Sequence, residues 1–180
     1  MDGHYTNSKL KSGMIIGSAM HTKKLLIGVV LAVCLLSNAT WGADVIPRKP
    51  SDRDKCPVCG MFVAKYPDWV AEIIFKDGSL FFFDGAKDLF KFYFNLKKYA
   101  PEQTREDIAG IYVTEYYGME LIEARKAIFV IGSDVYGPMG RELIPLSNEA
   151  DAREFMIDHK GQKTLSFGHV TTGIIQSLDE

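Results

Sequence analysis

In the first half of the chain, the apolar residues form short runs that are typical of strands and one segment with helical spacing. Two apolar runs flank the dipeptide Asp77-Gly78, and this arrangement is a strong signal for a β-hairpin with a two-residue turn. Asp84 is then placed to cap a helix that Pro101 ends. A further strand is predicted over Ile111–Tyr117. The helix carries its apolar side chains on one face: Ala86, Leu89, Phe90, Tyr93 and Leu96.

A similar order of elements returns in the second half. The pattern predicts, in order, a strand over Ala127–Ile131, a glycine-rich turn, a strand over Glu142–Leu146, a helix capped by Ser147 or Asn148, and a strand over Thr164–Phe167. The sequence strand, strand, capped helix, strand therefore occurs twice. We predict an α+β fold of two related ββαβ units, at residues 56–122 and 123–180.

The first 43 residues have the layout of an export signal. A basic pair at residues 23–24 precedes the apolar run Leu25–Leu36. This run of 12 residues is shorter than the roughly 18 or more that a membrane-spanning helix needs. Small residues follow it, as a signal peptidase requires. We predict residues 1–43 to be a leader, with Met20 as a candidate start.

One cysteine of the leader is placed where a lipid anchor can be considered. Cys34 follows Val33, whereas lipid attachment sites have a small residue directly before the cysteine. The sequence therefore does not favour a lipid anchor at Cys34. Residues 44–55 are charged and contain two prolines, which is typical of a linker.

Composition narrows the classes of partner. The chain is 47% apolar and 12% aromatic, which is enough for a packed core. From Thr40 onward it carries 17 basic and 22 acidic groups, a formal charge of −5, with no basic run. This charge argues against nucleic acid as a partner. The acidic groups are spread along the predicted turns and helices, as on a solvated surface.

The most concentrated chemistry is the segment Cys56-Pro57-Val58-Cys59-Gly60-Met61. Thiolate and thioether ligands select soft ions such as Cu(I), whereas a zinc site would normally be completed by more cysteine or histidine. Two alternatives remain open at this point. The pair can close as a structural disulfide, or it can be a redox-active pair in a thiol-disulfide oxidoreductase.

Further ligands can be proposed from the same pattern. Cys59 and Met61 share one face of an extended segment and can converge on one ion. Met139 is a candidate third ligand because the turn Gly137–Gly140 presents its side chain outward. The alternative is a methionine that covers the hairpin beneath it. His169, beyond the final strand, is a weaker candidate, since a single histidine is more often a surface residue.

Motifs for other chemistry are missing from the sequence. It contains no Gly-x-Ser-x-Gly, no P-loop, no dinucleotide-binding glycine pattern and no His-Glu-x-x-His. The sequence therefore predicts a binding protein rather than an enzyme. The oxidoreductase that would use Cys56 and Cys59 is the enzymatic alternative.

The body of the chain resembles the NosL family of nitrous-oxide-reductase accessory proteins. The resemblance is carried by three segments: Cys56 to Met61, Phe83 to Phe90, and Lys126 to Pro145 with its Gly-Pro-Met-Gly block. It implies a fold of two related ββαβ units. It also implies a periplasmic Cu(I) chaperone, not an enzyme, that delivers copper to nitrous oxide reductase, with other copper-transport proteins as further partners.

The resemblance also implies a ligand set. Cys59 and Met61 match the family's Cys-Gly-Met, and Met139 matches its second methionine. Cys56 is an addition relative to members with a single cysteine. It therefore implies either a site with two thiols or a cysteine that serves redox control.

Overall fold

The computed structural model describes Met1 and residues 45–180. The predicted leader, with Met20 and Cys34, lies outside the described residues. The described residues from 45 to 180 belong to one compact unit. Within the described part of the chain, no helix has the length and apolar character needed to cross a bilayer.

Four antiparallel strands form the first sheet. They are β1 (Ala71–Phe75), β2 (Leu80–Phe83), β3 (Ile108–Thr114) and β4 (Leu121–Glu123), arranged in the order β2-β1-β3-β4. β1 and β2 form the predicted hairpin, with Ala71 opposite Phe83. The loop has three residues instead of the predicted two, because the N–H of Phe75 already donates to Ser79 O at 2.8 Å. Gly78 ends that loop with a φ of +85°, a conformation that favours glycine.

The helix after this hairpin differs from its prediction at both ends. α1 covers Ala86–Phe94, and a break at Asn95 separates it from the short α2 (Leu96–Tyr99). Gly85 occupies the N-cap position, and no side chain caps the helix there. The prediction that Asp84 caps α1 is therefore wrong. The carboxylate of Asp84 has another partner, described below.

Three antiparallel strands form the second sheet, and a small hairpin is inserted after the first of them. The strands are β5 (Ile128–Ile131), the hairpin pair β6 (Tyr136–Gly137) and β7 (Gly140–Arg141), then β8 (Ile144–Leu146) and β9 (Lys163–Ser166). The sheet order is β8-β5-β9. The strand predicted over Glu142–Leu146 starts two residues later, because the carboxylate of Glu142 turns back to bind backbone N–H groups.

Two helices complete the second half. α3 covers Glu149–Asp158, and Asn148 caps it as predicted by accepting from the N–H groups of Ala150 and Asp151. α4 covers Thr172–Ser177 and is capped by Thr171. Neither α4 nor the edge strand β4 was predicted.

Both halves share one topology. In each sheet, the first strand (β1 or β5) lies between the strand before the helix (β2 or β8) and the strand after the helix (β3 or β9), and the first sheet adds β4 beside β3. This confirms the predicted α+β fold of two related ββαβ units. The boundary at residues 122 and 123 stays a prediction, because the larger hydrophobic core draws residues from both halves.

That larger core fixes α1. The ring of Phe90 lies 5.3 Å from the ring of Phe129 on β5 and 4.9 Å from that of Phe167, centroid to centroid. A second, smaller core lies under α3 and contains Val130, Ile144, Leu146, Ala152 and Phe155. The helix α1 therefore packs against residues of both halves of the chain, whereas α3 packs on the second sheet.

The predicted linker contacts the first sheet where it reaches the body. The N–H of Arg48 donates to Glu72 Oε2 at 2.9 Å. The hydroxyl of Tyr112 donates to the carbonyl oxygen of Val45. The predicted linker is therefore attached to the first sheet shortly before the chain reaches the sulfur-containing segment.

Candidate metal centre

The two cysteines lie on a closed loop. The N–H of Cys56 donates to Met61 O at 2.9 Å, and the N–H of Gly60 donates to Cys56 O at 2.9 Å. Lys55 and Phe62 pair beyond these residues as an isolated antiparallel bridge. Gly60 has a φ of +81°, which glycine adopts at little cost. Backbone hydrogen bonds therefore hold both thiols on one short loop, the cysteine loop (residues 56–61).

Two carboxylates from the start of α1 face this loop. Cys59 Sγ donates to Asp84 Oδ1 at 3.1 Å, and Cys56 Sγ donates to Asp88 Oδ2 at 3.4 Å. Asp88 lies in the first turn of α1, and Asp84 lies two residues before the helix begins, beyond the N-cap Gly85. One ligand atom from each of the four residues lies within 4.8 Å of all the others. Within residues 45–180 this is the only such group of three or more His, Cys, Asp or Glu side chains.

Burial makes this cluster electrostatically unusual. Cys56, Asp84 and Asp88 are each at most 2% exposed, while Cys59 is half-buried. Burial, together with hydrogen bonds to the two carboxylates, raises the pKa of the Cys59 thiol to about 12, although the backbone N–H of Met61 lowers it. Burial also raises the pKa of the Cys56 thiol above its usual range. Both cysteines are free thiols in this structure.

The carboxylates retain unused acceptor capacity. Within the described residues, neither Asp84 Oδ2 nor Asp88 Oδ1 accepts a hydrogen bond, although both atoms are buried. Asp88 Oδ1 has an ion-pair partner, Lys91 Nζ, at 3.6 Å. Buried polar atoms normally find partners, so such atoms often mark functional sites. Two thiols and two carboxylates that converge in this way are compatible with a metal ion.

The candidate methionine ligands lie on two different segments. Met61 ends the cysteine loop and is half-buried. Met139 lies at the tip of the β6–β7 hairpin and is 41% exposed. Its carbonyl oxygen accepts from Lys87 Nζ at 2.9 Å. Lys87 lies in the first turn of α1, directly before Asp88, so the methionine hairpin and the cysteine loop are attached to the same turn of one helix.

The structure places His169 elsewhere. It is exposed at the end of a short 3-10 turn, where its Nδ1 lies 2.8 Å from Ser166 Oγ. It does not belong to the cluster of two cysteines and two aspartates. Its assignment as a ligand stays a prediction without support from that cluster.

Sequence reasoning missed both aspartates. The expectation that the acidic groups form a solvated surface is wrong for Asp84, Asp88 and Glu142, all of which are buried. The sequence gives no clear signal for this burial, because the helical repeat places Asp88 away from the apolar face of Ala86, Leu89 and Phe90. An aspartate among core positions needs a polar partner, and here that partner is Cys56.

Comparison with known proteins identifies the family of this chain. The family model of NosL matches residues 47–175. This chain belongs to the NosL family. The matched segment includes the cysteine loop, the start of α1 and the methionine hairpin.

Individual NosL proteins are similar over most of their length. The copper-binding lipoprotein NosL of Stutzerimonas stutzeri is 28% identical over 174 residues, which is 88% of this chain and 86% of the relative. The crystal structure of the copper chaperone NosL from Shewanella denitrificans aligns with a TM-score of 0.60 at 26% identity, covering 71% of this chain and 97% of that one. A solution structure of the apo-NosL protein from Achromobacter cycloclastes covers 58% of this chain and 87% of its own, with 26% identity and a TM-score of 0.41.

Proposed function

We propose that this protein is a periplasmic chaperone that carries Cu(I) as cargo and delivers it to nitrous oxide reductase during assembly of the copper centres. The observation that carries the proposal is the first turn of α1, to which both the cysteine loop and the methionine hairpin are attached. The NosL proteins of Stutzerimonas stutzeri and Shewanella denitrificans are named as copper-binding and as a copper chaperone. Membership of the NosL family and the preference of sulfur ligands for soft ions thus both support copper as the cargo.

The proposed ligands are Cys59, Met61 and Met139. Soft sulfur donors favour Cu(I), and the thiolate of Cys59 supplies the negative charge. Cys56 is a second thiol within reach of the same cluster. His169 is an alternative ligand only if its segment moves toward the cluster.

Partial exposure of these ligands suits a carrier. Cys59 is half-buried, whereas Cys56 is only 1% exposed, and Met139 is 41% exposed. Accessible ligands let a receiving protein's own ligands enter and displace them one at a time. We therefore assign entry and release of the ion to Cys59 and Met139.

The enzymatic alternative is disfavoured by the thiol environment. A redox-active Cys-x-x-Cys pair needs a thiolate whose pKa lies near or below neutrality. Here burial and the adjacent carboxylates raise the pKa of both thiols. In addition, the pair lies on a loop that opens no helix. A protonated, carboxylate-bonded thiol is a poor nucleophile, but it can still bind a soft metal ion as the thiolate and release its proton to water.

A competition titration tests the binding step. Reduced protein is titrated anaerobically with Cu(I) in the presence of a chromophoric chelator, and Cys59→Ser is compared with Met119→Leu. Met119 is also exposed but lies outside the proposed ligand set. We expect one tightly bound ion in the native chain and in Met119→Leu, and its loss in Cys59→Ser. Equal binding by all three proteins would contradict the proposal.

A transfer experiment tests the partner. Protein loaded with one Cu(I) is mixed with apo nitrous oxide reductase, and copper in the reductase is measured after the two are separated. We expect copper to move to the reductase faster than from a Cu(I)-chelator complex of equal affinity. Transfer no faster than from the chelator would leave a copper-binding protein without this delivery role.

The location is part of the same proposal. The relative from Stutzerimonas stutzeri is named a lipoprotein, whereas Val33 precedes Cys34 in this chain. We propose export to the periplasm without lipid attachment at Cys34. Mass spectrometry of the protein isolated from cells should show an unmodified N terminus after leader cleavage, and a diacylglyceryl-cysteine at position 34 would contradict this.

A further inference from the structure

A buried lysine joins the methionine hairpin to α1. Lys87 is 1% exposed. Its Nζ donates to Met139 O at 2.9 Å and to Leu178 O at 3.4 Å, and it forms an ion pair with Asp179 Oδ1 at 3.1 Å. The ammonium group therefore has partners in both the methionine hairpin and the C-terminal segment.

The backbone of the same residue holds the other end of the hairpin. The N–H of Lys87 donates to Glu142 Oε1 at 2.5 Å. Glu142 directly follows β7, and its Oε1 also accepts from the N–H of Leu143 at 2.9 Å. Lys87 thus fixes the hairpin at its tip, through Met139, and at its base, through Glu142.

The Glu142 side chain lies directly against the backbone at the start of α1. A Cβ atom added at Gly85 would lie 2.2 Å from Glu142 Oε2. Contacts below about 3 Å force neighbouring atoms to move. The close approach of Glu142, at the base of the hairpin, to α1 therefore depends on glycine at position 85.

Stability alone does not account for a lysine at this position. A buried ammonium group loses its hydration, and an apolar side chain of similar volume often gives equal or greater stability. Its ion-pair partner Asp179 is partly exposed, with 45% of its side chain accessible, which weakens the compensating attraction. What Lys87 provides specifically is a directed hydrogen bond to the residue that carries the Met139 side chain.

The neighbours of Lys87 act on the other ligand loop. Asp88 follows it and binds Cys56, and Asp84 precedes it by three residues and binds Cys59. One helical turn therefore determines where the cysteine loop and the methionine hairpin lie with respect to each other. If ligands from two loops bind one ion, the distance between the cysteine loop and the methionine hairpin must be fixed. In other metal sites, residues outside the ligand set hold the ligands in place in this way.

We propose that Lys87 is a positioning residue of the copper site, which holds the Met139 turn so that its thioether reaches the ion bound by Cys59. The inference rests on the proposed function, since it assumes that Met139 is a ligand. Lys87 itself contacts no ion, because an ammonium group has no acceptor to offer a metal.

A double-mutant cycle in Cu(I) affinity tests this role. Lys87→Leu keeps an apolar side chain, removes the donor and adds no sulfur. We expect it to lower the affinity on the order of tenfold, as loss of partners outside the ligand set typically does. In Met139→Leu, the additional Lys87→Leu change should have little further effect, because the ligand that Lys87 positions is already gone. Asp179→Asn is the matched control, since it removes the ion pair but leaves the bond to Met139, and it should retain native affinity.

X-ray absorption of the loaded protein supplies a readout that loss of stability would not change. We expect one sulfur fewer around copper in Lys87→Leu than in the native protein, with the Cys59 sulfur retained. An unchanged sulfur number, or affinity losses that multiply independently in the double variant, would overturn the inference. If Lys87→Leu does not fold, Lys87→Gln, which is neutral and shorter by one bond, replaces it in the same cycle.

The two proposals fail in different ways. If Cys59→Ser abolishes binding but Met139→Leu has no effect, the copper function stands and the role of Lys87 is refuted. If Cys59→Ser also binds Cu(I) normally, the proposed site itself is refuted.

Discussion

The N termini of the two long helices occupy equivalent places in the two ββαβ units but are satisfied differently. In α3, Asn148 accepts from the N–H groups of Ala150 and Asp151 at 2.9 and 3.0 Å. This is a local cap. In α1 no neighbouring side chain does the same, and the N–H of Lys87 instead donates to Glu142, which lies 55 residues further along the chain.

This difference between the two helix starts explains how Asp84 can belong to the candidate metal centre. Asp84 has the residue type of a helix cap but lies one residue before the N-cap Gly85, and its carboxylate accepts from Cys59. Because Glu142 of the second unit supplies the missing acceptor, the first unit can use Asp84 in the cysteine cluster. The contact between the units and the candidate metal centre therefore depend on the same turn of α1.

The largest expected effect concerns the core that the two units share. Phe90→Ala should destabilise the protein by about 4 kcal/mol, because it removes a fully buried ring that packs on Phe129 and Phe167. Urea unfolding followed by two probes, one in each unit, should still show a single transition. As a control, Ile157→Ala, at a residue 80% exposed, should change stability by less than about 0.5 kcal/mol. Separate transitions for the two units would contradict a shared core.

The next effect concerns the non-local cap of α1. Glu142→Ala should cost about 3 kcal/mol, since it leaves the buried N–H groups of Lys87 and Leu143 without an acceptor. Glu142→Gln keeps a carbonyl oxygen at the same place and should cost clearly less. Chemical denaturation of the two variants measures the difference, and equal losses would indicate that the acceptor contributes little.

The Glu142 carboxyl group, unlike the Asn148 amide, should make the stability of the protein depend on pH. Burial raises the pKa of the Glu142 carboxyl to about 8 from its usual 4.5. Between these values the folded protein holds a proton that the unfolded chain has released. Stability therefore falls as pH rises through this range, by at most about 1.4 kcal/mol per pH unit. Denaturation midpoints of the native protein should show this slope and those of Glu142→Gln should show a weaker one; parallel slopes would contradict it.

The smallest effect belongs to the local cap. Asn148→Ala should cost about 1 kcal/mol, and hydrogen exchange should accelerate at the first turn of α3 while α1 stays protected. Asn148→Ser, which retains a capping oxygen, should be closer to the native protein than Asn148→Ala. Faster exchange at α1 in Asn148→Ala would show that the two helix starts are not independent.

The sequence predicts those parts of the structure that depend on nearby residues, and it does not predict those that depend on distant partners. The β1–β2 hairpin and the Asn148 cap depend on residues a few positions apart, and both were predictable. The role of Asp84 was not, because a local rule assigns it to α1 while Cys59, 25 residues earlier, is its actual partner. The burial of Glu142 likewise depends on a helix 55 residues away.

The candidate site shows the same limit. The soft ligands were recognisable as residue types, since cysteines and a methionine within six residues suggest a soft metal. The two buried aspartates were not, because carboxylates are usually exposed and only the packing of α1 against the cysteine loop buries them. Lys87 shows no sequence signal that distinguishes it from a surface lysine.

The central claim is that the cysteine loop and the methionine hairpin bind the same Cu(I) ion. It is tested most directly by NMR of protein labelled at its methionine methyl groups, titrated anaerobically with Cu(I). The account predicts that the methyl signals of Met61 and Met139 shift together and stop at one equivalent, while those of Met119 and Met156 stay in place. A Met139 signal that does not move while Cu(I) binds through Cys59 would contradict the claim.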